Sequence, residues 1–545
     1  MLSDTKKLKL KSLEKTSWRD FFKPSLYTFD RSILTTACGL ASRISDQPLQ
    51  EKDPQSRKHP NILLIHADQH RWDSLGAYGN TEIKTPNLDA LAADGVTYRN
   101  SFCTYPVCTP SRYSLLSGQY VWEHKGWTNH CTLAQDIPTF PRVLRDADYH
   151  TAAVGKMHFT PTYLDVGFDE MILCEQNGPG RWDDDYHRYL MEHNLVDYND
   201  IQDQVDEYRQ QAPLEYWDSF GAQPSNLPEE HHSTTWIGNR TVEQIDQWNN
   251  KENNLLMTGF VKPHHPFDPP QEWLDLYNPE DLTLPNGWTE TVPERDETIH
   301  PGFFPNRDLT PEELQRVMAA YYATISHIDA QVGRMISLLK EKGIYDQTMI
   351  IYTSDHGEHL GHHHMLLKGG YMYDSLAKVP LIIKYPDSHK SGEIQDGQVT
   401  ALDVARTVVE ASGSAAPDEM HGSNLAVDDE GHEFVFAENH GGRESMVRTQ
   451  SRKLLLDENM EPKLLFDLDK DPYELQNRLH DTDYEENIKR LLNAAEQWRS
   501  TEDIGDTYLN EDEQVIQQLN VPPGDLSHRP AMKKYYADKM SEMKW

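Results

Sequence analysis

The chain has 545 residues, 37% hydrophobic and 10% aromatic, so it is long enough for a large globular domain and a smaller second one. Its net charge of −36 argues against nucleic-acid binding, because phosphate backbones require a basic surface. Its apolar runs are only a few residues long, whereas a membrane span needs about 20, so no membrane span is expected. Five cysteines without a CxxC pair argue against a zinc cage or a thioredoxin-like motif.

Residues 1–58 precede the first regular element. The segment begins basic and amphiphilic and contains a short, weakly apolar run at 33–41. A secretory signal normally has a more apolar core nearer its start. The segment is therefore interpreted as either an N-terminal extension or an atypical export signal, and the sequence leaves open whether it is removed.

From Pro60 onward, short apolar runs alternate with helical patterns. In chain order the patterns predict a strand over 62–65, helices over 86–95 and 138–148, strands over 151–154 and 255–261, a helix over 311–342, strands over 348–352 and 379–383, and a helix over 402–412. This alternation predicts an α/β fold with a large, mostly parallel central sheet flanked by helices.

Two further regions have different patterns. Residues 165–235 are rich in Asp, Trp, His and Gly without clear periodicity and are interpreted as an inserted loop region. Short strands and a helix after about residue 430 predict a smaller C-terminal α+β subdomain. The predicted organisation is an N-terminal extension over 1–58, a catalytic domain over 59–425, the α+β subdomain over 426–505 and a tail over 506–545.

Polar residues follow several predicted strands directly, at 68–69, 156–158, 264–265 and 355–356. The carboxyl ends of parallel strands meet at one edge of a sheet, so these positions predict a single active site. Asp68 with Gln69 and Asp355 with His356 offer oxygen and nitrogen ligands that could converge on one divalent cation.

Basic side chains fall in or beside the same strand-end loops: Arg112, Lys156, His158, His264, His265 and Lys368. Taken singly, each is more typical of a solvated surface charge than of a site. Together with a metal they would bind a tetrahedral anion, and they would supply the local positive charge that an anionic substrate needs on so acidic a chain. The histidine run 362–364 is assigned no role.

Residues 108–112 read Cys-Thr-Pro-Ser-Arg, and with Ser-Leu-Leu-Ser-Gly at 114–118 they resemble the signature of the formylglycine-dependent sulfatases, which belong to the alkaline phosphatase superfamily. The resemblance covers roughly residues 60–480. Further segments resemble other motifs of the family in the same order: 61–69, 85–89, 155–158, 263–267, 354–358 with Lys368, and 465–474.

This resemblance implies an alkaline-phosphatase-like fold and an enzyme that hydrolyses sulfate esters. It implies that Cys108 is converted to formylglycine (3-oxoalanine) by a formylglycine-generating enzyme. Hydrated formylglycine would attack sulfur, the alcohol would leave, and the resulting hemiacetal sulfate would eliminate sulfate, which splits one hard displacement into two easier steps.

The resemblance also assigns roles to individual residues. The metal ligands are Asp68, Gln69, Cys108, Asp355 and His356. The catalytic side chains are Arg112 and Lys156, which would steady the hydrated aldehyde, His158 as the base for the elimination, and His264 and Lys368, which would contact the sulfate and help to protonate the leaving oxygen.

Two positions depart from a common version of the motifs. Many members have a second Asp in place of Gln69 and an Asn in place of His356. Gln and His versions also occur, including among relatives that cleave phosphate or phosphonate diesters. Two anionic side chains instead of three make a softer, less charged site. Ca²⁺ remains the first choice, but at such a site Mn²⁺ or Mg²⁺ is less easily excluded.

A sulfated carbohydrate is the expected substrate, because the aromatic and polar side chains of 165–235 suit sugars. The candidate substrate contacts are His265, Arg181, Trp182 and His187. Such a substrate favours a periplasmic or secreted location.

Two alternatives stay open: a phosphodiester or phosphonate monoester hydrolase with the same formylglycine, and a catalytically silent glycan-binding relative. The sequence does not determine the sulfated ring position, exo or endo action, or the oligomeric state.

Overall fold

A computed structural model describes residues 59–176, 178–249, 252–297, 304–369, 372–499 and 527–542. The predicted N-terminal extension and much of the predicted tail lie outside the described residues. Within the described ranges, no helix combines the length and the apolar character needed to cross a membrane.

The strands fall into two groups along the chain. The first group is β1 (Asn61–Asp68), β2 (Val96–Phe102), β3 (Tyr149–Gly155), β4 (Glu170–Leu173), β5 (Asn253–Pro263), β6 (Thr348–Ser354), β7 (Lys378–Val379), β8 (Leu381–Lys384) and β9 (Glu393–Thr400). The second group is β10 (Val435–Asn439), β11 (Glu444–Arg448), β12 (Arg452–Leu456) and β13 (Pro462–Asp467).

The α-helices lie between and after these strands. They are α1 (Pro86–Asp94), α2 (Cys108–Ser117), α3 (Val121–His124), α4 (Phe140–Asp146), α5 (Asp185–Glu192), α6 (Tyr198–Gln204), α7 (Asp206–Arg209), α8 (Leu214–Asp218), α9 (Ser233–Gln247), α10 (Gln271–Leu274), α11 (Glu294–Glu297), α12 (Pro311–Glu341), α13 (Asp374–Ala377), α14 (Ala401–Ala411), α15 (Glu485–Trp498) and α16 (Arg529–Glu542).

The first group of strands forms one nine-stranded sheet in the order β4-β3-β5-β1-β6-β8-β2-β7, with β9 paired to β2. β1 lies at its centre, parallel to both β5 and β6, and every residue of β1 is buried. Helices cover both faces of the sheet: Ile62 and Leu64 pack into one core cluster, and Leu63 and Ile65 pack into the other. The predicted α/β fold with a large, mostly parallel sheet is therefore confirmed.

The predicted strand over 379–383 is interrupted in the structure. β7 and β8 lie on either side of Pro380, and both pair antiparallel with β2. Proline has no N–H to donate to a strand neighbour, so it ends one short strand before the next begins.

The prediction of loops over 165–235 is wrong, because the region contains β4 and four short helices, α5 to α8. We call residues 174–232, between β4 and α9, the insertion. Its helices have only 4 to 8 residues, too short to show a clear hydrophobic period. Aspartate caps and tertiary packing stabilise them instead: Asp184 accepts the N–H of His187, and Asp197 accepts the N–H of Asp200.

The C-terminal strands form a separate antiparallel sheet in the order β10-β11-β12-β13, and α15 packs on it through Leu491 and Ala495. This agrees in secondary structure with the predicted small α+β subdomain, while the exact boundaries of that subdomain stay a prediction. Helix α16, which the polar tail did not predict, packs on the insertion, where Met532 and Tyr536 join an apolar cluster with Val196 and Ile201.

Candidate active site

Cys108 begins helix α2, and its side chain is fully buried. Its Sγ lies 3.3 Å from His356 Nε2 and 3.7 Å from Asp68 Oδ1. The Nζ of Lys368 donates to the same sulfur at 2.8 Å. Burial, followed by the charge of Asp68, raises the pKa of the thiol to about 11. The thiol is therefore protonated at neutral pH. It lies beside an imidazole, a carboxylate and an ammonium group.

The predicted metal ligands come together at the carboxyl ends of two adjacent strands. Asp68 ends β1, and Asp355 and His356 follow β6, whose parallel register pairs Ala67 with Ser354. Asp68, Cys108, Asp355 and His356 offer donor atoms that all lie within 4.8 Å of one another. One divalent cation could contact all four.

Two hydrogen-bond observations show that these residues fit a metal. His356 Nδ1 lies 2.9 Å from the carbonyl oxygen of Gly357 and must donate to it, so the Nε2 lone pair faces Cys108. Among the described residues, the Oε1 of Gln69 is buried without a hydrogen-bond partner. Two carboxylates, one imidazole nitrogen and one amide oxygen suit a divalent cation such as Ca²⁺ or Mn²⁺.

Arg112 and Lys156 neutralise the carboxylates of the donor group. Arg112 donates from Nε to Asp355 Oδ2 and from Nη2 to Asp68 Oδ2, both at 3.0 Å. Lys156 Nζ lies 2.8 Å from the same Asp68 oxygen. Burial alone would raise the pKa of the Asp68 carboxyl, but the surrounding cations, led by Lys156, hold it well below its usual value. Asp68 is therefore ionised and available as a ligand.

Lys368, which contacts Cys108, also pairs with His264. Lys368 Nζ lies 3.0 Å from His264 Nε2, and His264 Nδ1 donates to the backbone oxygen of His265 at 2.8 Å. Burial, followed by the charge of Lys368, holds the pKa of His264 well below its usual value. The imidazole is therefore neutral at pH 7, and its Nε2 accepts a hydrogen bond from the lysine ammonium.

His158 lies in the turn after β3 with a positive φ of 58°. Its N–H donates to Glu175 Oε1 at 2.9 Å, and its carbonyl accepts from Thr109 Oγ1 at 2.9 Å, which ties the turn to the start of α2. Its Nδ1 is buried and has no hydrogen-bond partner in the described part of the chain. Burial and the charge of Lys156 hold its pKa well below the usual value, so the ring is neutral at pH 7.

Sequence reasoning missed two residues of the insertion, Gln176 and Asp203, which contact Lys156 and His265. Gln176 accepts from Lys156 Nζ at 3.2 Å and donates to the backbone oxygen of His265 at 2.9 Å. Asp203 Oδ1 lies 2.6 Å from His265 Nδ1. Gln176 comes shortly after β4, just as the other site residues come shortly after their strands. Recognising this four-residue strand in the sequence would have placed Gln176 among the candidate site residues.

The predicted substrate contacts in the insertion have partners there. Arg181 Nη1 pairs with Asp200 Oδ2 at 2.5 Å and lies 3.2 Å from His187 Nε2. Trp182 packs beside Tyr536 of α16, with ring centroids 5.6 Å apart. These three side chains bind the insertion together, and their contact with a substrate stays a prediction. His265, by contrast, stacks directly on His264, with centroids 4.3 Å apart.

A buried cysteine, a cluster of metal donors and several cations at the strand ends of an α/β sheet define a hydrolase for esters of tetrahedral oxyanions. The sequence profile of the family described as Sulfatase matches residues 60–414, and a second profile, N-sulphoglucosamine sulphohydrolase, C-terminal, matches residues 361–501. The chain belongs to the sulfatase family and is a sulfuric ester hydrolase.

Two curated relatives agree with this assignment, and one solved structure is similar in fold. An arylsulfatase of Clostridium perfringens is 30% identical over 471 residues, covering 79% of this chain and 92% of that protein. An N-acetylglucosamine-6-O-sulfatase of Bacteroides thetaiotaomicron is 25% identical over 488 residues, covering 81% and 87%. The crystal structure of a phosphonate monoester hydrolase of Agrobacterium radiobacter superposes with a TM-score of 0.67 at 23% identity, covering 84% of this chain and 100% of that one. The last likeness supports the alkaline-phosphatase-like fold.

Proposed function

We propose that this chain hydrolyses sulfate esters of a carbohydrate, with Cys108 converted to formylglycine and one divalent cation bound beside it. The observation that carries the proposal is the position of Cys108, whose sulfur contacts both a metal donor, His356, and a cation, Lys368. Formylglycine would supply a hydrated aldehyde as nucleophile. Asp68, Gln69, Asp355 and His356 would hold the divalent cation, which would supply positive charge next to the sulfate oxygens. Ca²⁺ is the first candidate, and Mn²⁺ and Mg²⁺ stay alternatives because the donor group has only two carboxylates.

Lys368 and His264 are proposed to bind the sulfate oxygens and to assist protonation of the leaving alcohol. Burial alone would lower the pKa of Lys368, but residue 108 and Asp68 raise it, so the side chain is an ammonium at neutral pH. Neutral His264 receives a hydrogen bond from this ammonium and holds it in the site. The positive charge and donor hydrogens of Lys368 would stabilise the charge that develops on the leaving oxygen.

Arg112 and Lys156 are proposed to stabilise the hydroxyl groups of hydrated formylglycine while they hold Asp68 in place. His158 is proposed as the base that takes a proton when sulfate is eliminated. Its ring is neutral, and its Nδ1 makes no hydrogen bond to the described residues, so it can accept a proton there.

The carbohydrate assignment is supported by one relative and one family profile rather than by the site geometry. One relative bears the name N-acetylglucosamine-6-O-sulfatase, and the matching C-terminal profile is named after an N-sulphoglucosamine sulphohydrolase. We propose His265, Arg181, Trp182 and His187 as the substrate-facing residues. Sulfated polysaccharides occur outside the cytoplasm, and we therefore also propose a periplasmic or secreted location.

The second candidate is a phosphodiester or phosphonate monoester hydrolase that uses the same formylglycine. Gln69 and His356 favour it, since they replace an Asp and an Asn found in many sulfatases. A silent glycan-binding role is disfavoured, because each catalytic and metal position carries a chemically competent residue.

The experiment has two parts. Intact mass of the tryptic peptide that contains residue 108 should show the lower mass of the aldehyde, and sulfate release should be measured on sulfated oligosaccharides beside aryl sulfates and phosphodiesters. We expect the highest kcat/KM on a sulfated sugar. No sulfate release from any sugar would end the carbohydrate assignment. A preference of about 1,000-fold for the phosphorus substrate, equivalent to about 4 kcal/mol, would establish the second candidate.

A further inference from the structure

Glu358 is a fully buried carboxylate two residues after the metal donor His356. Its two oxygens have separate partners. Oε1 accepts the backbone N–H groups of Leu360 at 3.0 Å and Leu367 at 2.5 Å. Oε2 accepts a hydrogen bond from Nε2 of Gln69. One side chain therefore joins the end of β1 to the loop that follows β6.

The contact with Glu358 decides which way the Gln69 amide faces. Both oxygens of Glu358 accept hydrogen bonds, and the group of Gln69 that donates to Oε2 is the NH₂. The amide oxygen then points away from Glu358, and this Oε1 is the buried atom without a hydrogen-bond partner among the described residues. A buried carbonyl oxygen with no partner is costly, and a cation would satisfy it.

The other oxygen of Glu358 fixes the loop that carries Lys368. The N–H of Leu367 binds Glu358, and the carbonyl of Leu367 accepts the N–H of His359 at 3.0 Å. Both ends of the loop are thus held at Leu367, directly before Lys368, whose Nζ lies 2.8 Å from Cys108 Sγ. A change at Glu358 should therefore affect the metal ligand and the lysine together.

We propose that Glu358 is a positioning residue that aims the side-chain oxygen of Gln69 at the bound metal and anchors the loop of Lys368. The inference rests on the proposed function for the presence of the metal. It also accounts for the amide at position 69: a glutamine ligand needs an acceptor for its NH₂ group, and Glu358 is that acceptor.

An isosteric exchange tests the metal part. In Glu358→Gln, Oε1 keeps both backbone hydrogen bonds but the new NH₂ faces the NH₂ of Gln69, so Gln69 must turn its NH₂ toward the metal. In Gln69→Glu, two carboxylates face each other. In the double variant Gln69→Glu/Glu358→Gln, the amide at 358 donates to the carboxylate at 69, whose second oxygen faces the metal. The side-chain shapes are the same in all four proteins.

The measurement is Ca²⁺ and Mn²⁺ affinity of the purified full chain by calorimetric titration, with metal content after dialysis and thermal unfolding as a check of folding. We expect each single variant to bind about 10- to 100-fold more weakly than wild type, which is typical for loss of a residue that orients a metal ligand. The double variant should recover most of that loss. Additive losses, or single variants that bind as wild type does, would overturn the inference and leave the proposed function intact. A wild-type chain that binds neither cation would overturn the metal in the proposed function and the inference with it.

The loop part has its own readout. Glu358→Ala should accelerate hydrogen exchange in peptides over 359–369, whereas Glu358→Gln, which keeps the acceptor for both backbone N–H groups, should not. Equal exchange in the wild type and Glu358→Ala would show that Glu358 does not anchor the loop.

Discussion

The two sides of the site are built in different ways. The metal side takes Asp68, Asp355 and His356 from the ends of neighbouring parallel strands, so the register of the sheet itself brings the donors together. Lys156 and His265, which we call the insertion side, are held by Gln176 and Asp203 of the insertion. The metal donors thus come with the sheet, while the placement of Lys156 and His265 depends on an added region. Changes on the metal side should stop the reaction, and changes in the insertion should slow it.

The largest expected effect is that of Cys108→Ala. It removes the residue from which the nucleophile is made, so turnover should fall by about 10⁴-fold or more, measured as sulfate release under single-turnover conditions. The matched control is Cys103→Ala, which truncates another fully buried cysteine outside the donor group. Undiminished activity of Cys108→Ala would rule out the mechanism, and a comparable loss in the control would point to folding instead.

Lys368→Ala should come next. It removes the ammonium that contacts both Cys108 and His264, and we expect kcat to fall by about 10²- to 10³-fold with a smaller change in KM. The loss should be smaller on an aryl sulfate with an acidic phenol, because a good leaving group needs less protonation. A loss that does not vary with the leaving group would contradict the proposed part of Lys368 in protonation. Lys340→Ala, at a half-exposed position of α12, is the control and should keep its activity.

A change in the insertion should have a moderate effect. Gln176→Leu removes the hydrogen bonds to Lys156 and to the backbone oxygen of His265, so each group loses one of the contacts that position it. We expect kcat/KM to fall by about 10-fold, with full conversion of Cys108 by peptide mass. The exposed Gln210 of the same region gives the control, Gln210→Leu. A loss as large as that of Cys108→Ala would contradict the expectation that changes in the insertion only slow the reaction.

The smallest effect on turnover, and a distinct effect on stability, is expected from Glu175→Gln. Burial raises the pKa of Glu175 from 4.5 to about 7, so between these values the folded chain holds a proton that the unfolded chain has lost. The stability of wild type relative to the variant should therefore be greatest below about pH 4.5 and fall by up to about 3 kcal/mol as the pH rises through 7. The amide keeps an acceptor for the N–H groups of Met157 and His158.

Denaturant unfolding of both proteins across this pH range measures the difference in the free energy of unfolding. The contributions of other buried acids are the same in both chains and cancel in this difference. A difference that stays constant with pH, or that grows as the pH rises, would contradict a raised pKa at Glu175.

The sheet and the convergence of Asp68 and Asp355 at its strand ends could be predicted because both depend on local sequence. Ile62 to Ile65 form an apolar run of the kind that buried parallel strands require, and Asp68 and Asp355 directly follow such runs. The contacts of Glu358 with Gln69 and of Asp203 with His265 could not, because they join residues 289 and 62 positions apart. The helices of the insertion were missed for a related reason, since their stability comes from packing rather than from a repeated pattern.

Helix α16 has a consequence for the order in which a newly made chain is completed. Ribosomes add Met532 and Tyr536 after every other described element, yet both complete the apolar cluster around Ile201 in the insertion, and Tyr536 donates to the backbone oxygen of His187 at 2.7 Å. During translation, the strand ends that hold Asp68 and Asp355 are synthesised long before α16. The nascent protein should therefore assemble its metal donors first and settle the insertion last.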